Sequence, residues 1–442
     1  MAARAIRVPD ARRAPRVGPG LLVSLLAGRG AFRAAMLGSS VALLPLWGQS
    51  TFADYASAMG RFVFVVPLVN FGVEKTALKL VPRADATRRA LTAALLVAGC
   101  LLVVPFLLWL AVAALLGWVS QLVTMAGLLM ASLGLNQVLV ALHRALGRPL
   151  HDARNFFTLG VATTGATALV PLLGLRPVGF VTVLLVATVA LDLALLRGLR
   201  APWREPLRAR RLLGRYLIST MTFMGVADVS RGVSVSVLFL ILGSTRFAPE
   251  ASKLYVTATA ADILLGVLEY VLRVFQPQVA LALARRGRAA RRWARQLSLS
   301  LVAGGAAWLA LAFAAARQLD QALVRTPAAP PWTAVLVLFV VCLPLFVAKA
   351  VANFLLENLD MGSLRLAAAA SMAGTLSVAL LGLAAAPRLG ALGAVAAFAG
   401  GEVCNGLFVL ARLRTAGARA GGQRSSTSKG RSDPGPDRGQ PP

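Results

Sequence analysis

Long apolar runs recur along the chain, each near 20 residues and each closed off by a short cluster of Arg, Gly or Pro. A helix needs about 20 mostly apolar residues to cross the roughly 30 Å of hydrocarbon in a bilayer. Spans 1 to 6 are predicted at 30–47, 54–73, 91–117, 119–142, 156–175 and 177–196. Spans 7 to 12 follow at 217–243, 251–276, 297–316, 332–356, 365–386 and 389–411. Inside hydrocarbon every backbone polar group must be satisfied within the protein, which helices achieve and open sheets do not. The pattern therefore predicts an all-α polytopic membrane protein with about twelve transmembrane helices and no soluble domain of any size.

Composition and charge refine that picture. Of 442 residues, 58% are hydrophobic and 14% charged, a balance suited to lipid and not to water. The net charge of +29 raises the question of nucleic acid, but the basic residues sit in short clusters between apolar runs and form no patch or motif. No nucleic-acid partner is expected. Sorted by alternate loops, 37 Lys and Arg fall on one side, 6 on the other, and Arg61, Arg231 and Arg273 inside spans. Cytoplasmic loops retain positive charge during insertion, so both termini are placed in the cytoplasm. The same loops could also contact anionic membrane lipids. Arg outnumbers Lys 41 to 5, a usage that suggests a bacterial protein and hence the bacterial cytoplasmic membrane.

Residues 1–29 read as a basic cytoplasmic segment, because the apolar stretch from Leu21 to Ala27 is short and broken by Arg29. A cleaved signal peptide is not expected there. From Thr415 the tail to 442 is Gly, Ser, Pro and Arg without periodicity and is expected to be disordered. Cys100, Cys342 and Cys404 lie far apart in apolar runs and are expected to be buried structural thiols, with no metal or redox spacing. His143 and His151, near the connection of spans 4 and 5, read as ordinary loop residues. No Gly-rich nucleotide loop, metal cluster or nucleophile triad is present in the sequence, so no catalytic residue, metal or cofactor is assigned.

The chain repeats weakly at about 210 residues, as duplicated membrane bundles do. The stretch from Gly165, GATALVPLLGLRPVGFVTV ending in LLRGLR, is similar to that from Gly374, GTLSVALLGLAAAPRLGALGAV ending in LARLR. In the same register FADYASAMG at span 2 faces ASKLYVTATA at span 8. Residues 30–210 and 211–414 are thus expected to form two six-helix bundles, with a substrate path between them.

Ionisable residues at membrane depth cost about 2.5 to 3.5 kcal/mol each on insertion scales, so their placement is informative. Span 2 carries Arg61, span 7 Asp228 and Arg231, span 8 Asp262, Glu269 and Arg273, and span 12 Glu402. Spans 3, 5, 9 and 11 carry none in their interiors and read as scaffold. At about 100° per residue, Asp262, Glu269 and Arg273 share one face within about 40°, and Tyr255 joins it. Two readings stay open. Asp228 with Arg231 and Glu269 with Arg273 have the spacing of local ion pairs. Alternatively Arg61, Arg231 and Arg273 attract an anionic head group, with Asp228, Asp262, Glu269 and Glu402 balancing charge or carrying coupling ions. Asp192, Lys349, Glu357 and Asp360 lie near cytoplasmic helix ends, where snorkelling explains them.

The run from Thr51 to Arg83, TFADYASAMGRFVFVVPLVNFGVEKTALKLVPR, has an aromatic-rich start, an Asn70-Phe71-Gly72 exit and a basic amphipathic segment. Phe275 to Gly305, FQPQVALALARRGRAARRWARQLSLSLVAGG, joins the end of span 8 to a basic loop and span 9. Together these stretches resemble the polysaccharide or oligosaccharide flippases of the multidrug, oligosaccharidyl-lipid and polysaccharide exporter (MOP) superfamily. Ala56 stands where that family commonly has glycine. The resemblance implies a V of two pseudo-two-fold-related bundles, with spans 1, 2, 7 and 8 lining the central cavity. It also implies an undecaprenyl-pyrophosphate-linked oligosaccharide or polysaccharide unit as substrate, with glycan polymerases or glycosyltransferases as partners.

Three functions follow from these features. The first is a transporter flipping that anionic lipid-linked glycan by alternating access. The second is a proton- or sodium-coupled drug or metabolite antiporter of the same superfamily, using Asp228, Glu269 or Glu402. The third is a membrane-embedded glycan ligase or polymerase. The third is disfavoured because the largest external connection, around Gln318 to Pro331, is about 15 residues long and has no catalytic constellation.

Overall fold

The computed structural model describes residues 19–81, 88–199, 211–285, 332–359 and 361–428. Span 9 and Asp360 lie outside them, and the other eleven predicted spans are helical. In order the elements are α1 (Pro19–Arg61), α2 (Val65–Asn70), α3 (Val73–Leu80), α4 (Arg88–Leu115), α5 (Gln121–Ala145) and α6 (Leu150–Leu173). There follow α7 (Pro177–Gly198), α8 (Arg211–Gly243), a 3-10 turn (Ala248–Glu250), α9 (Ala251–Arg285), α10 (Trp332–Leu359) and α11 (Met361–Ser428). No strand occurs among the described residues. The fold is a polytopic helical membrane protein of two bundles.

Helix ends follow local chemistry. Ser120 caps α5 by accepting from the Val123 backbone, Gly174 closes α6 in the left-handed region, and Pro177 opens α7 at its first turn. At 22 residues α7 reaches about 33 Å, one bilayer core. Seven described stretches are long and apolar enough to cross a membrane by length and composition. Two of them, Gly20–Leu80 and Met361–Val409, each contain two predicted spans. α1 divides at Gly48 (φ 76°) and α11 at Gly390 (φ 60°), positive values that glycine adopts without a Cβ penalty. Exposed Leu101, Leu108 and Trp109 on α4, and Phe157 and Val161 on α6, form the apolar outer face that lipid requires.

Three predicted details are corrected. The helix begins at Pro19, well before 30, because Leu25 packs with Ala153 and Tyr270 and Arg29 is neutralised by Asp152 at 2.9 Å. α11 continues to Ser428, past Thr415, through a run rich in Ala and Arg, both strong helix formers. Cys100 and Cys342 are half-buried, but Cys404 is exposed on the outside of α11, where the surroundings are apolar lipid and not protein core.

Span 2 is the irregular one. It breaks after Arg61, resumes as α2 and ends at Phe71 (φ 28°) and Gly72 (φ 75°) before α3. The Phe64 N–H freed by the first break donates to Ser236 Oγ of α8 at 3.1 Å. Small residues let α2 sit against both neighbours: a Cβ on Gly134 of α5 would lie 2.9 Å from the Val66 carbonyl oxygen, and one on Gly225 of α8 2.7 Å from the Phe71 carbonyl carbon. Gly72 combines both constraints, since its Cβ would lie 2.5 Å from the Met221 carbonyl oxygen at a left-handed φ. Gly72→Ala is therefore expected to lower stability by about 1–3 kcal/mol, read by thermal unfolding in detergent. An unchanged midpoint would contradict this packing.

α1 and α2 join α4 to α7 in the first bundle, and α8 to α11 pack on one another in the second. The bundles meet where α1, α2 and α3 touch α8 and α9. At one end of this seam Tyr55 and Tyr255 contact edge-on at 5.6 Å, with Phe52 and Phe239 also against Tyr255. These are the aromatic starts of spans 2 and 8 that the repeat pairs. The opposite end, where the basic loops lie, is closed by ion pairs.

Candidate functional site

A cavity of about 390 Å³ lies along the seam between the halves. Its walls differ in chemistry. The first half contributes Met36, Val63, Val66, Pro67 and Met130, with only Asn70 and Gln137 polar. The second half contributes all the charge, Asp228, Arg231, Asp262, Glu269 and Arg273, set among apolar residues such as Val235, Leu238, Phe239 and Leu265. The break in span 2 shapes the apolar wall, and the shared face of α9 supplies most of the charged one.

The charges are paired across helices. Arg231 of α8 pairs with Glu269 of α9, whose other oxygen is 3.8 Å from Arg273. Arg273 also reaches across the seam to Glu74 of α3 at 2.7 Å. Beside it Lys75 bridges Asp228 at 2.8 Å and Glu357 of α10 at 2.7 Å. Glu74 accepts in addition from Arg144 at 2.8 Å, and Arg144 and Arg29 converge on Asp152 at 3.2 and 2.9 Å. Tyr270 Oη of α9 donates to Asp152 at 3.0 Å. Two adjoining networks that share α3 thus tie α1, α3, α5 and α6 to α8, α9 and α10 at the basic end. A second cavity of about 80 Å³, lined by the second half and by Lys75 of the first, opens from the same charges and holds a pair between Lys349 and Glu402.

No protein-family model and no curated protein matches the chain. Solved structures do. A MOP superfamily transporter from Pyrococcus furiosus, described by the reverse polarity of its binding pocket, aligns at TM-score 0.62 and 14% identity. That alignment covers 89% of this chain and 94% of the other. The lipid II flippase MurJ in an inward closed conformation aligns at TM-score 0.58 and 12% identity, over 87% of each chain. An outward-facing multidrug resistance MATE family transporter aligns at TM-score 0.61 and 13% identity, over 90% of this chain and 95% of the other. The chain has the fold of the MOP superfamily transporters.

Within the MOP fold the predicted site residues separate into groups. Asp228, Arg231, Glu269 and Arg273 converge at the cavity. Asp262 lines it too but is 67% exposed and only 3.7 Å from Arg33 of α1. Glu402 belongs to the smaller cavity. Arg61 does not line the central cavity; it turns toward Gly243, and its Nε is buried without a hydrogen-bond partner among the described residues.

Four expectations change. Arg231 and Arg273 are not free guanidiniums, and the central lining holds three carboxylates against two arginines. Local pairing is not the rule either, because Asp228 takes Lys75 of the other half and not Arg231 three residues on. Asp192, Lys349 and Glu357 do not snorkel to water: Glu357 is 5% exposed, Lys349 is paired with Glu402, and Asp192 is buried among polar side chains. His143 is fully buried, stacked on His151 at 4.6 Å with Nε2 3.0 Å from the Leu195 carbonyl oxygen. The residues that sequence missed are Arg29, Glu74, Lys75, Arg144 and Asp152. The mixed charges Glu74, Lys75 and Lys79, straight after the Asn70-Phe71-Gly72 exit, were the available signal.

Proposed function

We propose that the protein is a transporter of the bacterial cytoplasmic membrane, both termini inside, that flips an anionic lipid-linked glycan by alternating access. It acts as a carrier and not as an enzyme. The observation that supports this reading is a largely apolar cavity between the halves whose charge, Arg231 and Arg273 included, all comes from the second half. Arginine forks suit a pyrophosphate. Glu269 holds both guanidiniums in the closed form, so the pyrophosphate of an undecaprenyl-linked unit takes its place as it enters. Arg273 is also bound to Glu74 of the opposite half, so its capture by substrate loosens the seam at the basic end. Glycan polymerases or glycosyltransferases would act before and after the transfer.

Arg231→Ala and Arg273→Ala are each expected to insert normally and lose most glycan export, measured as surface glycan in cells lacking the native gene. Normal export in both would overturn the assignment. A second reading, antiport of a cationic compound, is favoured by one observation, the exposure of Asp262 in a lining with three carboxylates. Glu269→Gln separates the two. Removing the carboxylate that competes for Arg231 should tighten binding of an undecaprenyl-pyrophosphate probe about tenfold, about 1.4 kcal/mol. Weakened binding of a cationic dye with no gain for the pyrophosphate would favour the antiporter.

A further inference from the structure

Asp192 of α7 is unlike the other buried carboxylates. It is 4% exposed, and no Lys, Arg or His of the described residues forms an ion pair with it. Glu74, Asp152, Glu357 and Glu402, buried to a similar degree, each hold a basic side chain. The neighbours of Asp192 are neutral. Ser132 Oγ donates to Oδ2 at 2.8 Å, and Asn136 Nδ2 donates to Oδ1 at 2.8 Å. Asn136 and Asn155 exchange amide hydrogen bonds at 3.2 and 2.7 Å.

An ionised carboxylate buried with neutral partners alone is costly, and it is relieved by taking up a positive charge. A metal ion is a poor candidate. Hard cations collect about six or more oxygens, whereas the amide oxygens of Asn136 and Asn155 are engaged with each other. No group of three or more His, Cys, Asp or Glu among the described residues could hold a metal. A proton requires much less. Ser132 can donate to the carboxylate or accept from the carboxylic acid, so the 2.8 Å contact survives in both states.

We propose that Asp192, held by Ser132, Asn136 and Asn155, is a proton-binding site of the first half. Oδ2 takes a proton from water, the side chain goes from −1 to neutral, and release returns the proton to water. α5 connects this site to transport, since it presents Ser132 and Asn136 to Asp192 while Met130 and Gln137 line the central cavity. Of the buried carboxylates among the described residues, Glu74, Asp152, Glu357 and Glu402 already hold basic side chains of the chain itself, which leaves Asp192 as the buried one open to a proton.

The test is infrared absorption of the full chain in lipid nanodiscs as pH is lowered from about 8 to about 5, a range above the ordinary carboxyl values, where a buried carboxyl without a charge partner takes up its proton. Wild type should gain one carboxylic-acid C=O band that shifts in heavy water, and Asp192→Asn should lack it. Ser132→Ala should retain the band with a displaced midpoint. The same titrating band in Asp192→Asn, or none in wild type, overturns the proposal. Should Asp192→Asn fail to fold, an unchanged midpoint in Ser132→Ala overturns it. Either failure leaves the glycan reading untouched, because no glycan enters the measurement.

Discussion

Lys75→Met should destabilise the protein by about 3–5 kcal/mol, the usual effect of removing one partner from a buried ion pair. Lys75 is the cation shared by Asp228 and Glu357, its side chain is 9% exposed, and methionine fills similar volume without the charge. Asp228 and Glu357 would then face each other across the smaller cavity without the cation they share. The stem packs in both cases, so the loss reads out charge and not a cavity. Reversible unfolding in detergent, with Asp228→Asn and Glu357→Gln added singly and together, forms the cycle that checks it. Recovery of a large part of the loss in the triple variant is expected, since uncharged partners tolerate the methionine better than ionised ones. A loss below about 1 kcal/mol would place the pair in surface-like surroundings, and the closed seam described above would be wrong.

The legible and illegible parts of this fold divide along physical lines. The spans were legible because hydrocarbon thickness imposes a length on every crossing helix, and each span carries that length locally. The face shared by Asp262, Glu269 and Arg273 was legible for the same reason, being a matter of helical period. Pairing was not. Lys75 meets Glu357 across 282 residues, Glu74 meets Arg273 across 199, and Arg29 meets Asp152 across 123. Sequence offers only partners three or four residues away, and Asp228 declines the one it has. Arg29 was read as topogenic because Asp152, which lets the helix run on through it, lies in a different span. The break in span 2 was also hidden: Phe71 at φ 28° is no glycine, and its conformation is held by Gly72 packing against α8 and by Gly225 of α8 packing against Phe71. Arg61 erred in the other direction, a membrane-depth charge that points away from the cavity it seemed to serve.

Asp152→Asn should cost about 3–5 kcal/mol as well, but by a different route that links stability to gating. Asp152 is fully buried and accepts from Arg29, Arg144 and Tyr270, which come from α1, α5 and α9. Asparagine keeps one acceptor and turns a donor toward two guanidiniums. Arg144 retains Glu74, and among the described residues Arg29 retains the faces of Phe156 and Tyr270 alone, at 4.3 and 4.2 Å. Cation–π contact is worth about 0.5–2 kcal/mol and does not replace a buried carboxylate. Arg29 and Tyr270 stand on opposite sides of the seam, so the loss falls on closure of the basic end as well as on folding. A cysteine at Val235, in a chain with Cys100, Cys342 and Cys404 replaced, lies in the cavity lining and reports that closure. Its labelling by a membrane-impermeant thiol reagent from the basic side should quicken by about tenfold or more in Asp152→Asn, which corresponds to about 1.4 kcal/mol taken from the closed form. Reduced stability with unchanged labelling would mean that Asp152 serves folding only and that the seam is closed without it, by the pairs of Glu74 with Arg273 and of Lys75 with Asp228.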